Sequence, residues 1–388
     1  MIYELDEDKI AIREGVLAVC QQFDDEYWRE RDDDGRFPFE FHRAMAEGGW
    51  LGLTMPEALG GSGLGVGEAA VMMNTVATCG GGMTAASAIH INMFGPHPIL
   101  VFGTDEQRER WVPDLVSGKD QVCFAVTEPD AGLNTTSIST FAEKVEGGYR
   151  VSGRKIWTTT AQVANKIMLL CRTRKKEDCD RATEGLTLFY TDFDRSKIEV
   201  QRIPKIGRKA VDSNMVFIDN YFIPDADLVG EDGKGFRCIL HSLNPERVLI
   251  GAEGVGIGQD ALRRAAAYAG ERVVFDRPIG QNQGIQHPLA ENWMELEAAW
   301  LMCQNAAARY DLGLECGAQA NAAKFLGARA GFNACEQAVM THGGMGVAKE
   351  YNVERLFRES VIMRIAPVSE QLIMSYIGEQ VLGLPKSY

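Results

Sequence analysis

The sequence predicts an α+β fold, mainly helical, with helical segments at both ends and a β domain between them. Three observations predict it. Apolar residues keep helical spacing to about residue 119, switch to a period of two from about 120 to 233, and return to helical spacing from 234 to 388. Residues 1–119 thus read as an N-terminal helical domain and 120–233 as a small antiparallel barrel or sandwich. Residues 234–388 read as a four-helix bundle. A chain of 388 residues is long enough for two or three domains with a substantial core.

In the first segment Ile10, Val16, Val19, Phe23 and Trp28 form an apolar stripe, and PFEFHRAMAEGGW supplies a second helix. The Gly-rich ALGGSGLGVGE is a loop, followed by an apolar helix from about Glu68 to Thr78. Thr104 stands at the cap position of the helix that starts TDEQRERW. In the middle segment YRVSGRKIW alternates, IMLLC is a short apolar run, and GLTLFYTDF and MVFIDNYFIP are rich in β-branched and aromatic residues. The charge run RTRKKEDCDRATEG between them reads as a solvated hairpin loop.

The third segment opens on the stretch around which the chain is organised, Leu243 to Gln283. Asn244 and Pro245 stand in the order of a helix cap and first helical residue, although a proline within one longer helix reads the same way. Glu246 and Arg247 follow. Gly251, Ala252, Gly254, Gly256 and Gly258 come next, and each glycine costs helix propensity. Close approach of a flat ligand or of another helix would offset that cost. The helix runs to about Arg272 and is followed by a turn with Pro278 and Gly280.

A formal net charge of -14 speaks against a nucleic-acid surface, which needs concentrated Lys and Arg, while leaving room for a local cationic patch. Nine cysteines without a CxxC, and six histidines without an HxxxH, predict reduced thiols and no metal site. No apolar run approaches the roughly 20 residues of a membrane span. The acidic, amphipathic N-terminus differs from a secretory signal. The expected compartment is the cytoplasm, or the mitochondrial matrix if a transit peptide lies outside this numbering.

Several motifs carry a resemblance. Arg272, Phe275 and Gln283 stand as in a helix ending ERxxF with a Gln shortly after; CFAVTEPDAGLN contains a TEPxAG core; GRKIWTTTA matches KxWxTN; and AVMTHGGMGVAKEYNVER matches AxQxxGGxGyxxxxxxER. WLGLTMPEALGGSG and GTDEQRERWVPDLVSGK add to it. Together these resemble the acyl-CoA dehydrogenase family across nearly the whole chain. The resemblance implies FAD, an acyl-CoA substrate, a homotetramer, and electron-transfer flavoprotein as acceptor. It implies α,β-dehydrogenation of the thioester, with α-proton removal by Glu246 and hydride transfer to flavin N5. Glu246 falls where the isovaleryl-CoA and long-chain branches carry their catalytic glutamate.

By the same resemblance Phe124, Val126, Thr127, Gly132, Leu133, Trp157 and Thr159 would hold the flavin, and Arg272, Phe275, Gln283, Gly343 and Gly344 its dinucleotide end. Asn244, Arg247, His90 and Met93 would contact substrate, His90 being equally readable as a core histidine. Departures accompany it. Leu133 and Asn134 replace Ser-Asp, Thr160 replaces Asn, and Met340 replaces Gln. Pro367 occupies the C-terminal slot where most branches keep the catalytic glutamate. Proline offers neither a base nor an N–H. Glu370 is a third candidate base, and Ala366 or Val368 an alternative N–H donor. A flavin oxidase, a flavin monooxygenase and a catalytically idle binding protein are the other readings.

Overall fold

The computed structural model describes residues 5–386. Helices come first: α1 (Glu7–Cys20), α2 (Asp25–Asp34), α3 (Phe39–Glu47), α4 (Val66–Thr78), α5 (Gly82–Phe94), α6 (His97–Phe102) and α7 (Asp105–Val116). The apolar stripe from Ile10 to Trp28 is divided between α1 and α2. Asp24 interrupts it, accepting from the Tyr27 N–H at 2.9 Å as the cap of α2. Thr104 caps α7 through a reciprocal pair: its hydroxyl accepts from Gln107 N–H, and the Gln107 side chain accepts from Thr104 N–H.

The middle domain is one eight-stranded sheet: β1 (Val122–Ala125), β2 (Phe141–Val145), β3 (Gly148–Thr159), β4 (Lys166–Arg172), β5 (Leu186–Asp192), β6 (Ile198–Arg202), β7 (Ser213–Pro224) and β8 (Leu228–Val229). The hydrogen-bonded order is β6-β7-β3-β2-β4-β5-β8, with β1 beside β4. Most pairings are antiparallel as expected, but β1 and one residue pair of β2 run parallel to β4. β4 is buried on both faces, which explains its unbroken apolar run. One face closes on Val151, Phe189 and Ile218, and the other packs on α7, where Trp111 meets Tyr190 at 4.9 Å.

The C-terminal part begins with α8 (Gly235–Glu271), 37 residues long with Pro245 inside it. Of the two readings of Asn244-Pro245, the single longer helix is the one observed. Pro245 supplies no N–H to the carbonyl of His241, one turn back. The pair β9 (Val273–Val274) and β10 (Arg277–Pro278) leads into α9 (Gln283–Asp311), α10 (Gly317–His342), α11 (Val353–Ile365) and α12 (Glu370–Tyr376). The glycines of α8 serve helix packing. A Cβ on Gly251 or Gly254 would stand 2.7 or 2.6 Å from a carbonyl oxygen of α10, at Ala323 and Gly327.

Charged side chains bind the two helical parts to each other. Arg264 of α8 forks onto Asp25 of α2 at 2.6 and 2.7 Å. Glu359 of α11, paired with Arg355, accepts from the N–H and hydroxyl of Thr84 at the head of α5. These ties join α8 to α2 and α11 to α5; α5 itself packs on α8, and the candidate site lies between them.

Candidate active site

Glu246 sits on the buried face of α8 and is 6% exposed. No hydrogen bond among the described residues engages its carboxyl. Burial pushes its pKa up to about 7, against the opposing pull of His90 and Arg247. A cavity of about 150 Å³ opens beside it, lined by Met93 and Phe94 of α5, Ser242, Pro245 and Leu249 of α8, and Tyr310 of α9. His97 on the same wall meets the Tyr310 hydroxyl at 3.3 Å, and burial lowers its pKa to about 4, which leaves it neutral. A buried, unengaged carboxyl near neutrality beside an apolar cavity has the properties of a general base.

Arg247 donates to Asn244 Oδ1 at 3.0 Å, so these two substrate candidates form one unit on α8. His90 is buried and its Nδ1 lies 2.5 Å from Glu253 Oε1. Burial opposes its charge, yet Glu253 raises its pKa overall. Glu253 was not singled out in the sequence. The signal available was its spacing, two turns after Glu246 on the same helix face. Ser242, His97 and Tyr310 were also missed, because they come from different elements and no motif contains them.

Phe124, Val126, Thr127, Trp157 and Thr159 are brought together where β1 meets β3. Ile156 N–H donates to the Thr127 carbonyl at 2.9 Å, which sets Thr127 beside Trp157. The register of β3 against β7 slips between Lys155 and Thr158, and Trp157 and Thr160 take φ of 60° and 64°. Such backbone is costly for residues bearing a Cβ. The bulge turns the Trp157 indole outward, leaving it 55% exposed. Phe124 reaches Phe94 at 5.6 Å, linking this face to the cavity wall.

The TEPDAG turn is held by its glutamate. Buried Glu128 accepts from Ser139 N–H, Thr140 N–H and Lys155 Nζ at 2.6, 2.9 and 2.8 Å. Burial alone would raise its pKa, but Lys155 and these donors bring it to about 2. Gly132 faces open space and Leu133 is 62% exposed. Arg272, Phe275 and Gln283 cluster instead at the far end of α8, all exposed, as are Gly343 and Gly344 after α10. No hydrogen bond among the described residues joins that group to the Trp157 face.

Glu370 is engaged elsewhere. Its carboxylate accepts from Arg364 at 2.6 and 2.9 Å, and that contact lowers its pKa. A carboxylate so held is a poor proton acceptor, so Glu370 is withdrawn as a base. Ala366 N–H is also occupied, donating to Ile362 at 2.8 Å. Val368 N–H donates to no group among the described residues, and its carbonyl is anchored by Lys324 Nζ at 2.6 Å.

Three family models match in sequence: the acyl-CoA dehydrogenase N-terminal domain at residues 6–119, the middle domain at 123–221 and the C-terminal domain at 233–382. The chain belongs to the acyl-CoA dehydrogenase family. It is 33% identical to acyl-CoA dehydrogenase FadE12 of Mycobacterium tuberculosis over 390 residues, 98% of each chain. It is 30% identical over 354 residues to caffeyl-CoA reductase-Etf complex subunit CarC of Acetobacterium woodii, covering 91% of this chain and 92% of that one. It superposes on butyryl-CoA dehydrogenase from Megasphaera elsdenii with a TM-score of 0.93 at 25% identity, covering 98% and 100%.

This acyl-CoA dehydrogenase family member is therefore an oxidoreductase of a flavoprotein family. The Trp157 face fits a flavin. It offers an exposed indole on a strained bulge, next in sequence to a buried Thr158 hydroxyl that has no partner among the described residues. Thr158 was not among the expected contacts; its neighbours Trp157 and Thr159 were. Among the described residues no helix is long and apolar enough to cross a membrane.

Proposed function

We propose that this enzyme converts an acyl-CoA thioester to the trans-2-enoyl-CoA, with Glu246 as the base that removes the α proton. One observation carries the proposal: the Glu246 carboxyl is buried between Pro245 and Leu249 of the cavity lining, without a hydrogen bond among the described residues, and with its pKa raised to about 7. The α proton is only weakly acidic, so the thioester oxygen must be polarised as the proton leaves. With Pro367 silent and Ala366 engaged, Val368 N–H is the backbone donor in this segment that can do so. Thr127, Trp157 and Thr159 would hold FAD, which would supply the two-electron acceptor chemistry for the β hydrogen. Arg247, held by Asn244, stands beside the base to balance its charge or to grip coenzyme A.

Arg272, Phe275, Gln283, Gly343 and Gly344 would receive the adenine end of a flavin reaching from a second subunit of a homotetramer. Electron-transfer flavoprotein is the proposed acceptor, supported by the similarity to a subunit of a reductase-Etf complex. The acyl group is proposed to be branched or of short to medium length.

The test is an anaerobic titration of the FAD-loaded protein with a panel of acyl-CoA thioesters, followed at the flavin band. Bleaching by a chain type supports dehydrogenation. A flavin-loaded protein that no thioester bleaches refutes it. Peroxide release in air at the rate of turnover would reassign the enzyme as an oxidase.

A further inference from the structure

Beside Glu246 the protein encloses two polar atoms that it does not satisfy. His90 and Glu253 bond to each other through Nδ1 and Oε1, but His90 Nε2 and Glu253 Oε2 are buried without a partner among the described residues. A buried polar atom left unpaired costs about 1–3 kcal/mol. Keeping two on one pair is explicable if a third group arrives to meet them.

The pair lies on the two helix stripes that line the cavity. Ser242, Glu246, Leu249 and Glu253 follow one another on α8 at spacings of four, three and four, and thus share a face. His90, Met93 and Phe94 do the same on α5. Leu249, Met93 and Phe94 line the cavity, and His90 and Glu253 lie one turn beyond them on the same helix faces, just outside its lining. Glu253 is two turns from Glu246, roughly 10 Å along the helix axis. An acyl chain with its α carbon at Glu246 and its tail between α5 and α8 runs toward the pair.

An alkyl tail would satisfy neither atom. A carboxylate would face Glu253 and Glu246. An ammonium would face His90, whose charge Glu253 favours, and Arg208, which donates to Ser87 of α5 at 2.8 Å. A hydroxyl both donates and accepts, so it can donate to Glu253 Oε2 or accept from the Nε2–H of the ring whose charge Glu253 favours. We propose that the His90–Glu253 pair binds a hydroxyl carried on the acyl chain, so that the enzyme selects hydroxylated acyl thioesters over their alkyl counterparts. The proposal rests on the dehydrogenase reading and names its substrate class. The competing account is an internal bond that merely joins α5 to α8.

The test uses FAD-loaded Glu246→Gln protein and matched CoA thioesters, each chain with hydrogen or hydroxyl at successive positions from the γ carbon outward, phenylpropionyl and hydroxyphenylpropionyl included. Binding is read by calorimetry. One hydroxylated member is expected to bind about tenfold or more tighter than its partner, as when a site is built for a substrate hydroxyl. Adding His90→Phe with Glu253→Leu, which removes both polar partners together, should reduce that preference to within about twofold. The milder Glu253→Gln, checked for flavin content, should reduce it partway. No preference for any hydroxylated thioester, or one that survives the double variant, overturns the proposal. Bleaching of the wild-type flavin is scored separately. Its absence with the preference intact refutes dehydrogenation alone, and bleaching without a preference refutes only the hydroxyl site.

Discussion

A glutamate carboxyl in water titrates near 4.3, so at neutral pH it is almost fully ionised and a weak base. Burial of Glu246 on α8 moves it to about 7, where the ionised form is both populated and strong enough to accept a proton. The sign of the pH dependence follows. Below about pH 7 the base is protonated in the free enzyme, and kcat/KM should fall about tenfold per unit; above it kcat/KM should level off. A profile flat from pH 5 to 8 would remove Glu246 from the role. Trp157 and Thr159 could be singled out in the sequence because they stand in a short motif with a characteristic register, and Glu246 because of the position the family resemblance gives it. Glu253 was not, since its meaning depends on His90, 163 residues away. Glu370 could not be set aside from the sequence alone, because its partner Arg364 is visible only when α11 and α12 are placed together.

The elements were legible wherever local chemistry decides them. The cap of α7 at Thr104 and the double-sided burial of β4 are such cases. The break between α1 and α2 is also local, but an apolar stripe continues across it and hides it. The parallel pairing of β1 with β4 depends on a contact across 44 residues, and period-two spacing carries no strand direction. The glycines of α8 admit a close ligand or another helix, with packing the better reading of Gly254 to Gly258, and the structure shows the helix. A Cβ on Gly331 of α10 would collide with the Gly254 carbonyl oxygen, and neither backbone can retreat. Gly331→Ala should cost about 1–3 kcal/mol and lower Tm. Gly270→Ala, at an exposed helical site with open space around it, should gain about 0.5–1 kcal/mol. Thermal unfolding of both variants at one protein concentration checks the contrast; equal shifts would contradict this account of α8.

The whole protomer leaves one end of its C-terminal bundle unfinished. Phe275 is 93% exposed at φ 53°, next to exposed Val273 and Val274, and Met340 and Val347 are exposed near the end of α10. An apolar ring held in water on a costly backbone is explained if another subunit and its flavin cover it. Phe275→Asp should therefore shift the sedimentation profile from a tetramer toward smaller species and lower flavin retention. A wild-type protein that sediments as a monomer would contradict the assembly. At this scale the sequence disclosed the three-part plan, because apolar periodicity changes twice along the chain. It did not disclose how α5 and α8 face each other, because their direct contact, His90 with Glu253, spans 163 residues.

The most direct test of the central claim is anaerobic rapid mixing of FAD-loaded Glu246→Gln with a thioester that bleaches the wild type. Glutamine keeps the size of the side chain and removes the base, so the variant should fold and bind the thioester with a shift of the flavin band. Its rate of flavin reduction should fall by a factor of about 10³ or more, in the range expected when a general base is lost. Reduction within about tenfold of the wild-type rate would show that another group takes the proton.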